Sequence, residues 1–228
     1  VYMLKFYDEL LRQGGDPLFG DLMERTIHNT LFGAQSPDGR QLRYYTPFEA
    51  QRVFFDKDTY CCPNNYRRGV ADLPKYVVYR TARGILLNLY TPCTVNTVLQ
   101  DGTRVTLTQA TAYPSDGVVN TRISLDGEKA FDLGFRIPRW CGNASVKVNG
   151  AATGAVCDRG SICTIARTWK SGDEVELTFP MALRLVKGRR SQAGRVAVMY
   201  GPLVFGLSKE RNEGMEAIPP RLLTMDVD

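Results

Sequence analysis

The run "TYCCPNNYRRG", residues 59–69, sets two cysteines side by side, follows them with a proline and two asparagines, and ends on a pair of arginines before glycine. A disulfide between chain neighbours closes a strained eight-membered ring, so Cys61 and Cys62 are better placed to serve a third party than each other. Zinc is one candidate. Thiolates bind it well, but adjacent side chains of an extended segment diverge, so both sulfurs reach one ion only where the backbone turns, which Pro63 favours. Such a site needs two further ligands, and no C-x-x-C or H-x-x-x-H partner occurs in the chain. Nucleophilic catalysis is a second candidate: the thiolate is the reactive form, and Arg67, Arg68 or a bound zinc would favour it. The third is packing, because free cysteine commonly fills a core as a small apolar side chain.

The other chemistry-bearing residues read more plainly. His28 is the only histidine. Its place in an amphipathic run makes it a structural side chain before a catalytic one, without excluding a Cys-His pair. Cys93 falls in a strand-like run, Cys141 follows Trp140, and Cys157 and Cys163 flank a turn across which they could bond. Trp140 and Trp169 read as buried anchors of strand ends rather than platforms for stacking on sugars.

The elements that must hold these residues follow from periodicity. "VYMLKFYDELLRQGG" puts Met3, Phe6, Tyr7, Leu10 and Leu11 on one side and stops at Gly14-Gly15. In "DPLFGDLMERTIHNTLFG", Leu18, Leu22, Ile27 and Leu31 fall near one helical face, with Asp16 as cap, Pro17 in the first turn and Gly33 as stop. Two helices joined by a tight turn make a helical hairpin. From about Tyr76 the period becomes two: "RVTLTQ", "FDLGFRI" and "VELTF" alternate apolar and polar residues. Asp101-Gly102, Asp126-Gly127 and Asn149-Gly150 supply the turns between such runs. The expected fold is therefore mainly β, an antiparallel sandwich after an N-terminal helical hairpin, with a boundary near residues 70–76. Residues 34–75 show neither period, and a long stretch of that kind is often functional.

Bulk properties narrow the classes. A chain of 228 residues can bury a core without staples, and no run approaches the roughly 18 apolar residues of a membrane span. The net charge of +5 is spread thinly: Arg67-Arg68 and Lys187, Arg189, Arg190 are small clusters without aromatic interleaving, so nucleic acid and membrane are not expected partners. Six dispersed cysteines suit mostly reduced thiols and lean towards a cytoplasmic setting, and the first residues, with two acids in a broken apolar run, are not a signal peptide.

Several segments in order resemble glycoside hydrolase family 127, the β-L-arabinofuranosidase type. "GDPLFGDLMERTIHNTLFG" resembles the family's helical stretch and "YCCPNNYRR" its Cys-Cys-Pro-Pro-Asn motif, with Asn64 in place of the second proline and Asn65 and Arg68 matching. "GILLNLYTPCTV", "FRIPRWCGNASVKVNG", "WKSGDEVELTFPMALRLV" and "GRVAVMYGPLVFGL" are similar to its C-terminal β-domains. The resemblance implies a retaining glycosidase in which Cys61 is both nucleophile and zinc ligand and Cys62 a second zinc ligand, acting on a carbohydrate substrate with terminal β-L-arabinofuranose or a related sugar. It also implies that residues 1–75 are the closing part of an (α/α)6 catalytic barrel and 76–228 the following β-sandwich region. The acid/base glutamate and the other zinc ligands, a glutamate and a cysteine, are then expected upstream, so that the chain alone has little activity and self-associates through an exposed helical face. Tyr45 and Glu49 lie in a stretch resembling a strand near the active site but receive no role. The contrasting expectations are a non-catalytic β-sandwich that binds carbohydrate or buttresses a neighbour, and a structural zinc module.

Overall fold

The computed structural model describes residues 1–43, 53–55 and 61–206. Helix α1 (Tyr2–Gly14) buries Leu4 and Leu11 and ends where Gly15 enters the left-handed region at φ 66°, its N–H donating to the Leu11 carbonyl at 2.9 Å. Helix α2 (Pro17–Arg25) starts on the carboxylate of Asp16, which accepts from the Leu18 N–H at 2.8 Å. The helix then widens into a π turn over Thr26–Leu31 and closes as a 3-10 turn over Phe32–Ala34. Two side chains account for the widening: Thr26 donates to the Leu22 carbonyl at 2.6 Å and Asn29 to the Arg25 carbonyl at 3.1 Å, drawing on acceptors of the regular ladder. Gly33 therefore lies inside the last turn rather than ending the helix.

A short pair, β1 (Leu42–Arg43) with β2 (Phe54–Phe55), precedes helix α3 (Cys61–Asp72), which runs into a 3-10 turn over Leu73–Tyr76. Residues 34–75, expected to lack regular structure, thus contain a three-turn helix. Its buried face is built of Pro63 and Gly69 with half-buried Tyr66 and Leu73, not of large aliphatic residues, so it carries no conventional apolar stripe.

The remaining strands form three sheets. A four-stranded sheet contains β3 (Val78–Arg80), β4 (Gly84–Leu87), β8 (Glu128–Arg136) and β11 (Ile162–Lys170), in the order β11-β8-β4-β3. A six-stranded sheet contains β5 (Cys93–Val98), β6 (Arg104–Thr111), β7 (Val118–Leu125), β9 (Ser145–Val148), β10 (Ala151–Ala152) and β12 (Glu174–Thr178), in the order β10-β9-β12-β7-β6-β5. The last three, β13 (Leu183–Lys187), β14 (Val196–Tyr200) and β15 (Leu203–Phe205), form a meander. The antiparallel expectation fails at one pair: β4 and β8 run parallel, because the chain leaves β4, passes through β5, β6 and β7 of the other sheet, and re-enters beside β4 from the same end.

The two larger sheets face each other. Ile85 and Leu87 of β4, Phe131, Leu133 and Phe135 of β8 and Cys163 and Ile165 of β11 share one core with Val105, Leu107, Val119, Ile123, Val175 and Leu177 of the six-stranded sheet. The opposite face of β3 and β4, with Tyr79 and Leu86, packs with Val77 and Leu89 against Leu4, Leu11, Met23, Ile27 and Leu31 of the helical layer. Strand β4 is covered on both sides, which is why "GILL" is buried at every position instead of alternating. Three layers result: helices, four-stranded sheet, six-stranded sheet.

Candidate functional site

Cys61 and Cys62 occupy the first two positions of α3, where the helical turn brings their sulfurs to 3.9 Å from each other. Cys61 is exposed and Cys62 half-buried. Pro63 fits the first turn, where a backbone N–H has no intrahelical partner to lose. The first-turn end of an α-helix carries partial positive charge, so the end of α3 that bears both thiols is a favourable position for an anion. The turn that two neighbouring thiols need in order to converge is thus supplied by a helix, not by a proline kink in an extended segment.

The position of α3 is fixed from behind. At Gly69 the helix packs beside the N-terminal Val1 and Leu31 of the π segment, where an added Cβ would lie 2.9 Å from Val1 Cγ2 and 3.4 Å from Leu31 Cδ1. One turn earlier the Tyr66 hydroxyl donates to Gln35 Oε1 at 2.8 Å, and at the far end Asp72 accepts from Lys75 at 2.6 Å. Arg67 reaches back to Asn64 Oδ1 at 3.3 Å. Tyr45 and Glu49 lie outside the described residues. Among the described residues no group of three or more His, Cys, Asp or Glu side chains is disposed to hold a metal, and Cys61 and Cys62 stand there as a pair of thiols without a third such side chain grouped with them.

His28 sits on the π segment between the rings of Phe32 and Tyr113, with centroids 6.3 and 6.2 Å away. Burial holds its pKa below the ordinary histidine value. Trp169 is fully buried and donates to the Phe131 carbonyl at 3.0 Å, so it presents no face to a sugar; Trp140 is half-buried, donates to Glu24 Oε2 at 3.2 Å and packs edge-on against Phe179.

A buried charge cluster, not anticipated from the sequence, ties the helical layer to the β layers. Arg136, 1 % exposed, pairs with Asp21 Oδ1 at 2.5 Å and Glu24 Oε1 at 2.8 Å and donates to the Asn88 carbonyl at 2.7 Å. Glu24 also accepts from the Tyr113 hydroxyl at 2.6 Å. Burial opposes the charge on Arg136, but Glu24 and Asp21 outweigh it and hold the guanidinium protonated. Gly20 makes room, since a Cβ there would lie 2.4 Å from Arg136 Cδ. The available signals were Asp21 and Glu24 one turn apart on α2 and an arginine on the helix-facing side of an apolar strand.

Comparison with known proteins bears on this arrangement. Residues 1–75 match the family described as "Beta-L-arabinofuranosidase, GH127 catalytic domain" and residues 84–181 the "Beta-L-arabinofuranosidase, GH127 middle domain". A non-reducing end β-L-arabinofuranosidase of Bifidobacterium longum subsp. longum is 27% identical over 237 residues, covering 94% of this chain and 35% of its own length. Among solved structures, a GH127 β-L-arabinofuranosidase from Geobacillus stearothermophilus T6 superposes with a TM-score of 0.82 at 31% identity, over 89% of this chain and 34% of the other. Another GH127 β-arabinofuranosidase gives 0.78 at 30% identity, with 89% and 35% coverage. The chain spans about a third of the length of these relatives. With two successive GH127 segments matched in order and the fold shared with solved GH127 enzymes, the chain belongs to glycoside hydrolase family 127.

Proposed function

We propose that this chain is the nucleophile-bearing portion of a retaining glycoside hydrolase that removes terminal β-L-arabinofuranosyl or related residues, with Cys61 as the attacking group. The observation that carries the reading is the pair of accessible sulfurs 3.9 Å apart at the start of α3. Two thiolates on one tetrahedral zinc, with bonds of about 2.3 Å, lie about 3.8 Å from each other, so this spacing suits a shared ion. Cys61 and Cys62 would hold it together with two ligands from outside the described residues. When bound, zinc would withdraw charge from both sulfurs and keep them deprotonated.

In this reading the Cys61 sulfur attacks the anomeric carbon. A carbon–sulfur bond forms as the glycosidic carbon–oxygen bond breaks, and the departing oxygen takes a proton from a carboxylic acid. Water then displaces sulfur from the same carbon, and two inversions retain the configuration. Cys62 orients the site and leaves the attack to its neighbour. The acid is proposed to lie in chain beyond these 228 residues, within an (α/α)6 barrel of which residues 1–75 form the closing part.

The test uses an aryl β-L-arabinofuranoside, assayed with this chain alone and with the same chain carrying its upstream sequence. Turnover is expected in the longer form only, with zinc present by elemental analysis. Cys61→Ala should lower kcat by at least about 10³-fold in that form. Near-normal turnover by Cys61→Ala overturns the nucleophile assignment, and robust turnover by the short chain overturns its incompleteness.

A further inference from the structure

Among the described residues, the helices cover only part of the four-stranded sheet. Pairing across β4, β8 and β11 sets Leu86 beside Gly134 and Gly134 beside Thr164, with Gly84 beside Asp132 one step along the same face. The helical layer packs on Leu86 and Ile162 at one end of this face, whereas further along it Asp132 is half-buried and Thr164 exposed. Gly134 opens the space between them. A Cβ there would lie 3.0 Å from Ile162 Cγ2 and 3.4 Å from Leu86 Cδ1, so a side chain at this position would occupy the gap. The result is a trough of about 280 Å³, whose covered lining is Gly134, Leu86 and Ile162 and whose outer lining is Thr81, Arg83, Asp132 and Thr164. Backbone bonds fix the outer part: the Thr81 N–H donates to the Gly84 carbonyl at 2.9 Å, closing the β3–β4 turn, and the Asp132 N–H donates to the Arg83 carbonyl at 3.0 Å.

We infer that this trough is a second sugar-binding site, apart from Cys61 and Cys62, that takes one monosaccharide or terminal glycosyl residue through its hydroxyls. Its size falls near the lower end of small-ligand sites, about 300–1,000 Å³, and suits one sugar ring rather than a chain of them. The polar groups select a neutral ligand. Arg83 Nε donates to Asp132 Oδ2 at 2.9 Å, and the two charges cancel, so the trough exerts no net pull on a cation or an anion. That pair engages one carboxylate oxygen and one guanidinium nitrogen. The second oxygen can accept from one sugar hydroxyl while a terminal guanidinium nitrogen donates to its neighbour, and charge-assisted bonds at both ends of a vicinal diol are the stronger kind. The Thr81 and Thr164 hydroxyls both donate and accept, and Leu86 and Ile162 offer apolar contact to the C–H face of the ring. A zwitterionic amino acid, by contrast, would have to part the ion pair in order to use both charges. The inference does not rest on the proposed reaction, since none of these residues belongs to α3.

The test is a titration of this chain, labelled with nitrogen-15, with L-arabinose, read at the backbone amides of Gly134 and Thr164. Both signals should shift together and saturate with a Kd of about 1 mM, the weak affinity expected of a shallow site for one ring. Cys61→Ser should titrate identically, which separates this site from the thiol pair. Thr164→Trp places a large ring beside Gly134 and should weaken binding at least about tenfold by filling the trough. Arg83→Ala serves where that variant does not fold, because the Arg83 side chain is 82% exposed, and it should weaken binding by about tenfold through loss of the donor. Absence of saturation at both amides up to about 100 mM sugar overturns the inference. An unchanged titration in the folded trough variant, or loss of binding in Cys61→Ser, overturns the location. Displacement of the sugar by an equal concentration of glycine overturns the ligand class.

Discussion

His28 gives a residue-scale prediction that the rest of the chain does not obscure, because it is the only imidazole. Burial among Phe32 and Tyr113 disfavours its charged form, so its folded pKa lies below the ordinary value of 6.5. Between the folded value and 6.5 the unfolded chain binds more protons than the native one, and stability rises with pH there. The contribution is complete above about pH 7 and is lost as pH falls through 6.5 towards the folded pKa, by no more than about 1.4 kcal/mol per pH unit for one proton. Urea midpoints should therefore fall between pH 7.5 and 5.5 in the parent and change much less in His28→Phe. An equal slope in the variant would assign the effect to another group.

At the scale of elements, glycines decide how closely the layers approach, and two of them predict opposite outcomes. Gly84 opens β4 at the parallel pairing with β8, and a Cβ there would fall 1.9 Å from the Asp132 carbonyl oxygen, a backbone atom that cannot step aside. Gly84→Ala should cost about 1–3 kcal/mol, the range for overpacking a tight contact. At Gly69 in α3 the nearest obstacle is the tip of Val1, a side chain that can rotate, while alanine gains up to about 1 kcal/mol of helix propensity. Gly69→Ala should be near neutral in chemical denaturation, and a large loss there would mean that α3 is seated more rigidly than its contacts indicate. The same elements show what was legible beforehand. Helices α1 and α2 could be read from the helical spacing of their apolar residues and from Gly15 and Asp16, but the face expected on α1 from Met3, Phe6, Tyr7, Leu10 and Leu11 leaves Met3 and Phe6 exposed, and the residues it buries are Leu4 and Leu11. Strands β6, β7 and β12 alternate, and the turns fall at Gly102, Gly127 and Asn149-Gly150 with positive φ. Helix α3 was hidden because its buried side is proline and glycine, and the β4–β8 pairing because handedness of a crossover leaves no local mark. For the site, the adjacency of Cys61 and Cys62 was visible in the sequence, but the helical turn that converges their sulfurs was not. Arg136 received no reading from the sequence, because its burial depends on Asp21 and Glu24, which α2 brings from 112 to 115 positions away.

At the scale of the whole molecule, the helical layer is covered on one side only among the described residues. Leu4 and Leu11 of α1 face the sheet, while Tyr2, Met3 and Phe6, one turn apart on the other side, are 70%, 50% and 55% exposed. Three large apolar side chains grouped on one helix are more than the scattered exposure of an ordinary surface and mark a contact surface. In the proposed parent enzyme, other helices of the barrel would cover it; in this chain by itself, a second copy is the apolar surface at hand, and a self-complementary contact about a two-fold axis is the commonest solution. The isolated chain should therefore run as a dimer or larger species at micromolar concentration in light scattering. Tyr2→Ser with Phe6→Glu should shift it to monomer without moving the thermal midpoint by more than a few degrees, because neither residue contributes to the buried core. A parent chain that is monomeric at those concentrations refutes the assignment, and an oligomer that persists in the double variant moves the contact elsewhere, to the exposed Leu183, Val204 and Phe205 of the β13–β15 meander.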